Sequence, residues 1–211
     1  MQPADNLQLE PPGAGLPPLE LAVARWVLFP FWCASTQWEK SHNIFQEETN
    51  KILSLCKSLS PAELTKPVLI DRLRGIEDSS RFWSIAMTME HLCIVNDRIA
   101  DLIVSLGRGI PPPGVIGTAD VKPQGTWSAE ESIERFRDSS ESLIARANTE
   151  VENRDARTTF RHPWFGEMNV RQWNALTSLH QGVNFGFDKA AWRRWFMQAK
   201  TSANADLRRG E

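Results

Sequence analysis

Apolar residues recur at helical spacing over four long stretches of this chain, and Pro/Gly-rich segments separate them. From about Gln37, the residues Trp38, Phe45, Ile52, Cys56 and Leu59 return at intervals of three, four and seven, which places them on one helix face. Ser60-Pro61 ends that stretch. A second helix is predicted from about Phe82 to Leu106, with Ile85, Met89, Leu92, Val95, Ile99, Ile103 and Leu106 on its apolar arc and Gly107 as its stop. Ser128 with Glu131 forms a capping-box pattern that opens a third, carrying Ile133, Phe136, Leu143, Ile144, Ala147 and Val151 inward. Asn169 caps a fourth, with Trp173, Leu176, His180, Val183 and Phe187 on one stripe.

The intervening segments read differently. PAELTKPVLIDRLRGIEDSS is expected to be irregular with one short helical turn, and GRGIPPPGVIGTADVKPQGT and FRHPWFGEMN to be turn-rich loops. No strand-like alternation is sustained, and no internal repeat is visible. Residues 1–17, rich in Pro and Gly, are expected to form a flexible arm. Pro17 and Pro18 suit the opening of a helical segment that bends or breaks near Pro30. Trp192, Trp195 and Phe196 stand at helical spacing before a polar tail at residues 201–211. The chain thus reads as one all-α domain over residues 18–200, a four-helix bundle with long crossover loops and extra N-terminal and C-terminal helical segments.

Composition adds exclusions. The 211 residues suffice for one domain with a sizeable core. A net charge of −2, with no basic tract interleaved with aromatics, gives no electrostatic reason to expect nucleic acid. Cys33, Cys56 and Cys93 are an odd number without a C-x-x-C pair, which points to buried thiols in a reducing compartment rather than a disulfide framework. The N-terminus has no basic region before an apolar one, so no secretory signal is readable. The apolar run LAVARWVLFPFWCA is shorter than the ~20 residues a membrane span requires. These features predict a soluble cytoplasmic protein. The WVLFPFW segment leaves two readings open: a helix folded over one end of the bundle, or a surface for a homodimer or membrane contact.

The chemistry concentrates in polar residues on apolar helix faces. His180 lies inside the arc of the fourth helix, with Asn184 at its edge and Trp173 on the same stripe. Asn96 lies inside the arc of the second, with His91 at its border. Glu48 falls among Ile44, Phe45 and Leu55 on the first long helix. Buried polar groups need partners, so Glu48, Asn96, Asn184 and Trp173 are expected to line an internal cavity with the two histidines. A His on one helix and a His heading an i, i+4 pair on another is how a bundle builds a metal site. Here the i+4 residue, Asn184, is an amide and a poor ligand. Glu48 is a candidate third ligand or general base. The plain alternatives are core histidines with satisfied partners, a snorkelling surface acid and an asparagine that fixes helix register. His42 reads as a partly exposed helix residue, and His162 as a cap or as part of a pocket mouth.

Two segments, RFWSIAMTMEHLCIVNDRI and HPWFGEMNVRQWNALTSLHQGVN, resemble the DinB-like superfamily of bacterial four-helix bundles, which includes YfiT-like proteins and thiol-dependent transferases. The first is similar to its aromatic–Ser opening and mid-helix His, the second to an H-P-x-F-G, then W, then H-x-x-x-H pattern. The resemblance spans roughly residues 38–190. It implies a divalent metal (Zn, Ni or Fe) bound by His91, His180 and a third ligand at the position of Asn184, where this chain departs from the pattern. Two function readings follow. One is a bundle with a degenerate or absent metal site that binds a small apolar or thiol-bearing molecule in its cavity. The other is a metal-dependent transferase or hydrolase of a small electrophile that uses His91 and His180.

Overall fold

A computed structural model of the protein describes residues 8–183. The first helical rod runs through Pro18–Val23 (α1), a π-helical turn over Ala24–Leu28, and Phe29–Ser35 (α2). Pro30 has no N–H to give the preceding turn. The rod absorbs this by widening: the Phe29 amide reaches back five residues to the Ala24 carbonyl, and the helix continues. The expected break near Pro30 is therefore a local change of pitch.

Trp38–Cys56 (α3) is followed by Pro61–Thr65 (α4), which a reciprocal Ser60–Glu63 capping box opens. Val68–Leu69 (β1) pairs antiparallel with Phe82–Trp83 (β2). Ser84 then caps Ile85–Gly107 (α5), accepting from the Met87 amide at 3.0 Å. Ser128 opens Ala129–Thr149 (α6) in the same way, accepting from the Glu131 amide at 3.1 Å. Thr159–His162 (β3) and Gly166–Asn169 (β4) make a hairpin in which His162 lies opposite Gly166. Val170–Val183 (α7) begins at a second reciprocal cap: Asn169 Oδ1 accepts from the Gln172 amide at 3.1 Å, and Gln172 Oε1 accepts from the Asn169 amide at 3.0 Å.

The hairpin corrects the expectation of an unstructured FRHPWFGEMN loop. Its alternation is real but short: Phe160 and Met168 are buried while Arg161 and Glu167 are exposed. Four residues per strand are too few to stand out as a period-two pattern. The two-residue pairing of β1 with β2 is shorter still.

α3, α5, α6 and α7 form the bundle. α5 packs on α6 and α7, and α3 packs on the same two, so α3 and α5 lie across one diagonal. The arc read from the α5 sequence is buried throughout, from Ile85 to Leu106. One apolar cluster gathers Ile52, Met89, Leu92 and Phe136. Another joins Ile99, Ile103, Trp173 and Leu176 to Phe29 of the first rod and Phe160 of the hairpin.

The rod of α1 and α2 lies against this second cluster, with the Trp32 indole donating to the Ala175 carbonyl at 3.0 Å. Its other face leaves Leu19, Trp26, Val27 and Phe31 exposed. Residues 8–17, expected as a flexible arm, lie along the 75–80 loop: Glu10 and Gly13 donate backbone N–H to Asp78 and Glu77, and Leu16 is buried. Among the described residues no helix is long and apolar enough to cross a membrane. Asn184, Phe187, the C-terminal helical segment and the tail lie outside the described residues.

Gly166 sits at φ +78° in the hairpin turn, and a Cβ there would meet the Arg25 guanidinium at 2.8 Å. We expect Gly166→Ala to cost about 1–2 kcal/mol, because a non-glycine residue is strained in that region. Urea denaturation measures it, and an unchanged midpoint would show that the turn tolerates a side chain.

Candidate functional site

His91 is set by α5, where Val95 and Arg98 follow at i+4 and i+7 on the same face. It is buried, and its Nδ1 lies 2.6 Å from the Val121 carbonyl, which places the ring proton on Nδ1 and leaves a lone pair on Nε2. Val121 belongs to the crossover between α5 and α6, where Thr118–Val121 makes one 3-10 turn. The His91 ring packs between Trp83 and His180, with centroids 5.2 Å away on either side. Burial pushes the imidazole down to about 4 against the bond to Val121.

His162 ends β3, and its Nδ1 accepts the backbone N–H groups of Trp164 and Phe165 at 3.0 and 3.3 Å. Its proton therefore sits on Nε2. The ring stacks on Phe165 at 4.8 Å and tilts against Trp173 at 5.3 Å. Burial pushes it down to about 3. His180 on α7 is held well below its usual range by burial and then by its neighbours His91 and His162. All three imidazoles are neutral at neutral pH.

These side chains share a cavity of about 140 Å³ between α5, α7, the hairpin turn and the crossover. His91, His162 and His180 line it together with Val95, Ile99, Leu102, Leu176 and Leu179, and with the aromatic rings of Trp164, Phe165 and Trp173. Leu16 and Ala24 from the N-terminal segment contribute as well. Histidines apart, three ordinarily charged side chains among the described residues reach its wall: Glu77, Lys122 and Arg98.

Buried Glu77 and half-buried Lys122 form a pair at 3.0 Å. Burial alone would raise the Glu77 carboxyl. Hydrogen bonds from Thr118 and Lys122, the lysine charge and the Gly13 amide overcome that and hold it below the usual range. Lys122 also donates to Ser79 and Ser80 at 2.9 Å and lies 5.0 Å from the Trp83 ring centre. Buried Glu90, one residue before His91, accepts the backbone N–H groups of Gln124 and Gly125 at 2.9 and 2.8 Å. The crossover is thus fastened over α5 from both sides of Val121.

Of the residues picked from sequence, His91, His180 and Trp173 meet at this cavity, and His162 joins them both as a turn cap and as cavity wall. Glu48 does not line it: the carboxylate pairs with Lys51 at 2.7 Å. Asn96 is buried but turns to α6, donating to Ser140 Oγ at 3.4 Å. His42, expected to be partly exposed, is buried between α3 and α7 because Asn174 Oδ1 supplies a partner 2.7 Å from its Nε2. Burial pushes the thiols of Cys33, Cys56 and Cys93 up to about 12, so none of them is a thiolate nucleophile at neutral pH. Sequence reasoning missed Glu77, Glu90 and Lys122, whose partners lie in aperiodic loops. Arg98 was within reach, since its spacing from His91 places it on the same face.

Among the described residues the donor set does not fit a resident divalent metal. No group of three or more His, Cys, Asp or Glu among the described residues is placed to hold one. His91 and His180 provide two imidazoles where competent zinc sites have at least three protein ligands. His162 has already committed its lone pair to two backbone donors.

The model of the DinB superfamily matches residues 44–187, and the chain belongs to that superfamily. The chain is also similar to TT2238, described as a four-helix bundle protein in its crystal structure: 22% identity, 70% of this chain and 97% of that chain covered, TM-score 0.49. No curated protein matches it.

Two outcomes follow from this geometry. Glu77→Ala strands the Lys122 ammonium and removes the acceptor of Thr118, so we expect a loss of about 3 kcal/mol in urea denaturation. Amide exchange at residues 121–125 should accelerate as well. A cost below about 0.5 kcal/mol would make the pair a surface ornament. The second outcome concerns acid. His91 and His162 titrate near 6.5 in the unfolded chain but near 4 and 3 when folded, so the unfolded state takes up protons first as pH falls. Their contribution is full above about pH 6.5 and is lost toward pH 4, about 1 kcal/mol for each histidine between pH 7 and 5.5. His162→Asn should flatten that slope by one histidine's share, and an unchanged slope would contradict the assignment.

Proposed function

Starting from membership of the DinB superfamily, we propose that this chain binds a small, largely apolar molecule in the histidine-lined cavity without a resident metal. One observation carries the reading. A cavity of about 140 Å³, walled by aliphatic and aromatic side chains and three neutral imidazoles, lies where the bundle, hairpin and crossover meet. An apolar cavity of about 150 Å³ stays dry and accepts a benzene-sized guest. The polar groups in the wall are suited to orienting such a guest, with an acceptor at His91 Nε2 and a donor at His162 Nε2–H. No reaction is assigned: the thiols are protonated, and Glu48 stands outside the cavity.

A second reading, a divalent metal that activates a thiol or water, draws on one feature. His91 gives its Nδ1–H to a backbone carbonyl, the arrangement that orients a metal-binding imidazole. It needs a third ligand, for which the sequence offers Asn184.

Elemental analysis of protein purified without added metal separates the two. We expect well under one metal per chain, and a thermal midpoint raised by benzene in the unmodified protein but not in Val95→Phe, which fills the cavity from α5. Stoichiometric metal that disappears in His180→Ala would replace the proposal with the metal-dependent reading. Absence of any benzene effect on the unmodified protein would remove it.

A further inference from the structure

Arg98 stands apart among the charged groups at the cavity. Glu77 and Lys122 neutralise each other, and their remaining hydrogen-bonding capacity is spent on Thr118, Gly13, Ser79 and Ser80. Arg98 lines the same cavity yet is exposed, which puts it at the opening. It has no hydrogen bond or ion pair with the described residues. Neither acidic neighbour on α5 pairs with it: Asp97 accepts from Ser139 at 3.0 Å, and Asp101 pairs with Arg146 at 2.7 Å. Among the described residues the wall therefore carries one positive charge without an ion-pair partner, at the mouth of a pocket lined mainly by apolar and aromatic side chains.

We propose that the ligand class of this cavity is a small aromatic carboxylate, its ring among Trp164, Phe165 and Trp173 and its carboxylate held by Arg98 at the mouth. This rests on the cavity being a small-molecule site. A guanidinium matches a carboxylate in plane and in two parallel hydrogen bonds. Among the described residues one free cation balances one negative charge, so a monoanion fits better than a phosphate dianion, which would require a second cation that Lys122 is not free to supply. The enclosed volume takes a single ring, and a charge outside it at the rim escapes the cost of desolvating an anion in the apolar interior. Arg98 shares its helix face with His91, so a ring entering past it meets the imidazoles directly.

The test is calorimetric titration of the full chain with benzoate, benzamide and phenyl phosphate at fixed ionic strength, repeated with Arg98→Gln. Benzamide keeps the ring and planar shape without the charge, and Arg98→Gln removes the charge at the mouth while leaving the aromatic rings and imidazoles unsubstituted. We expect benzoate to bind about tenfold more tightly than benzamide, the low end for a hydrogen-bonded charge at an exposed site. That preference should vanish in Arg98→Gln while benzamide affinity stays put. Equal binding of benzoate and benzamide by the unmodified protein would overturn the carboxylate assignment and leave the cavity reading standing. A benzoate preference that survives Arg98→Gln would overturn the role of Arg98, and tighter binding of phenyl phosphate than of benzoate would overturn the monoanion. No binding of any of the three would sink both the assignment and the cavity reading.

Discussion

The structure around the cavity depends on how the long crossover between α5 and α6 is tied down. That segment is rich in Pro and Gly and makes one 3-10 turn, so few of its backbone groups find partners within it. Buried backbone N–H and C=O groups must nonetheless be satisfied. α5 and the 75–84 loop supply the partners: Glu90 takes two amides, His91 takes the Val121 carbonyl, and Glu77 with Lys122 closes the end. Together with Ile116 and Val121, which pack on the second apolar cluster, these bonds hold the crossover over α5 as the roof of the cavity.

The same bonds set the chemistry beneath that roof. Giving Nδ1–H to Val121 fixes the tautomer of His91, and the two backbone amides of the hairpin turn fix the opposite tautomer in His162. Among the described residues neither ring is hydrogen-bonded to a carboxylate, the Glu77 charge near His91 is opposed by that of Lys122, and burial disfavours an imidazolium. The wall is therefore polar at defined atoms but uncharged, apart from the self-neutralised Glu77–Lys122 pair and Arg98 at the rim. Inside the cavity such a surface discriminates by shape and hydrogen-bond direction, and the charge of Arg98 acts only at the mouth.

The four bundle helices were legible because each is long enough to repeat its apolar positions several times. The arc of α5 and the Asn169 cap of α7 came directly from residue spacing and side-chain chemistry. His91 and His180 were legible for the same reason, as polar exceptions on apolar faces, and the structure brings their rings to 5.2 Å. The hairpin and the Glu77–Lys122 pair were not. Their partners are 45 positions apart in the second case, in stretches whose composition reports only the absence of a helix. Glu48 shows the converse limit: a carboxylate at an arc edge looks inward on a helical projection, yet a lysine three residues on draws it to the surface.

Side-chain nitrogen and proton NMR of the histidines, recorded during a benzoate titration at neutral pH, reads the tautomers and the occupancy of the cavity in one experiment. Neutral rings are expected at His91, His162 and His180, with the proton on Nδ1 of His91 and on Nε2 of His162. All three sets of resonances should move together and saturate as benzoate enters. Imidazolium signals in the free protein, or histidine resonances indifferent to benzoate, would contradict these expectations.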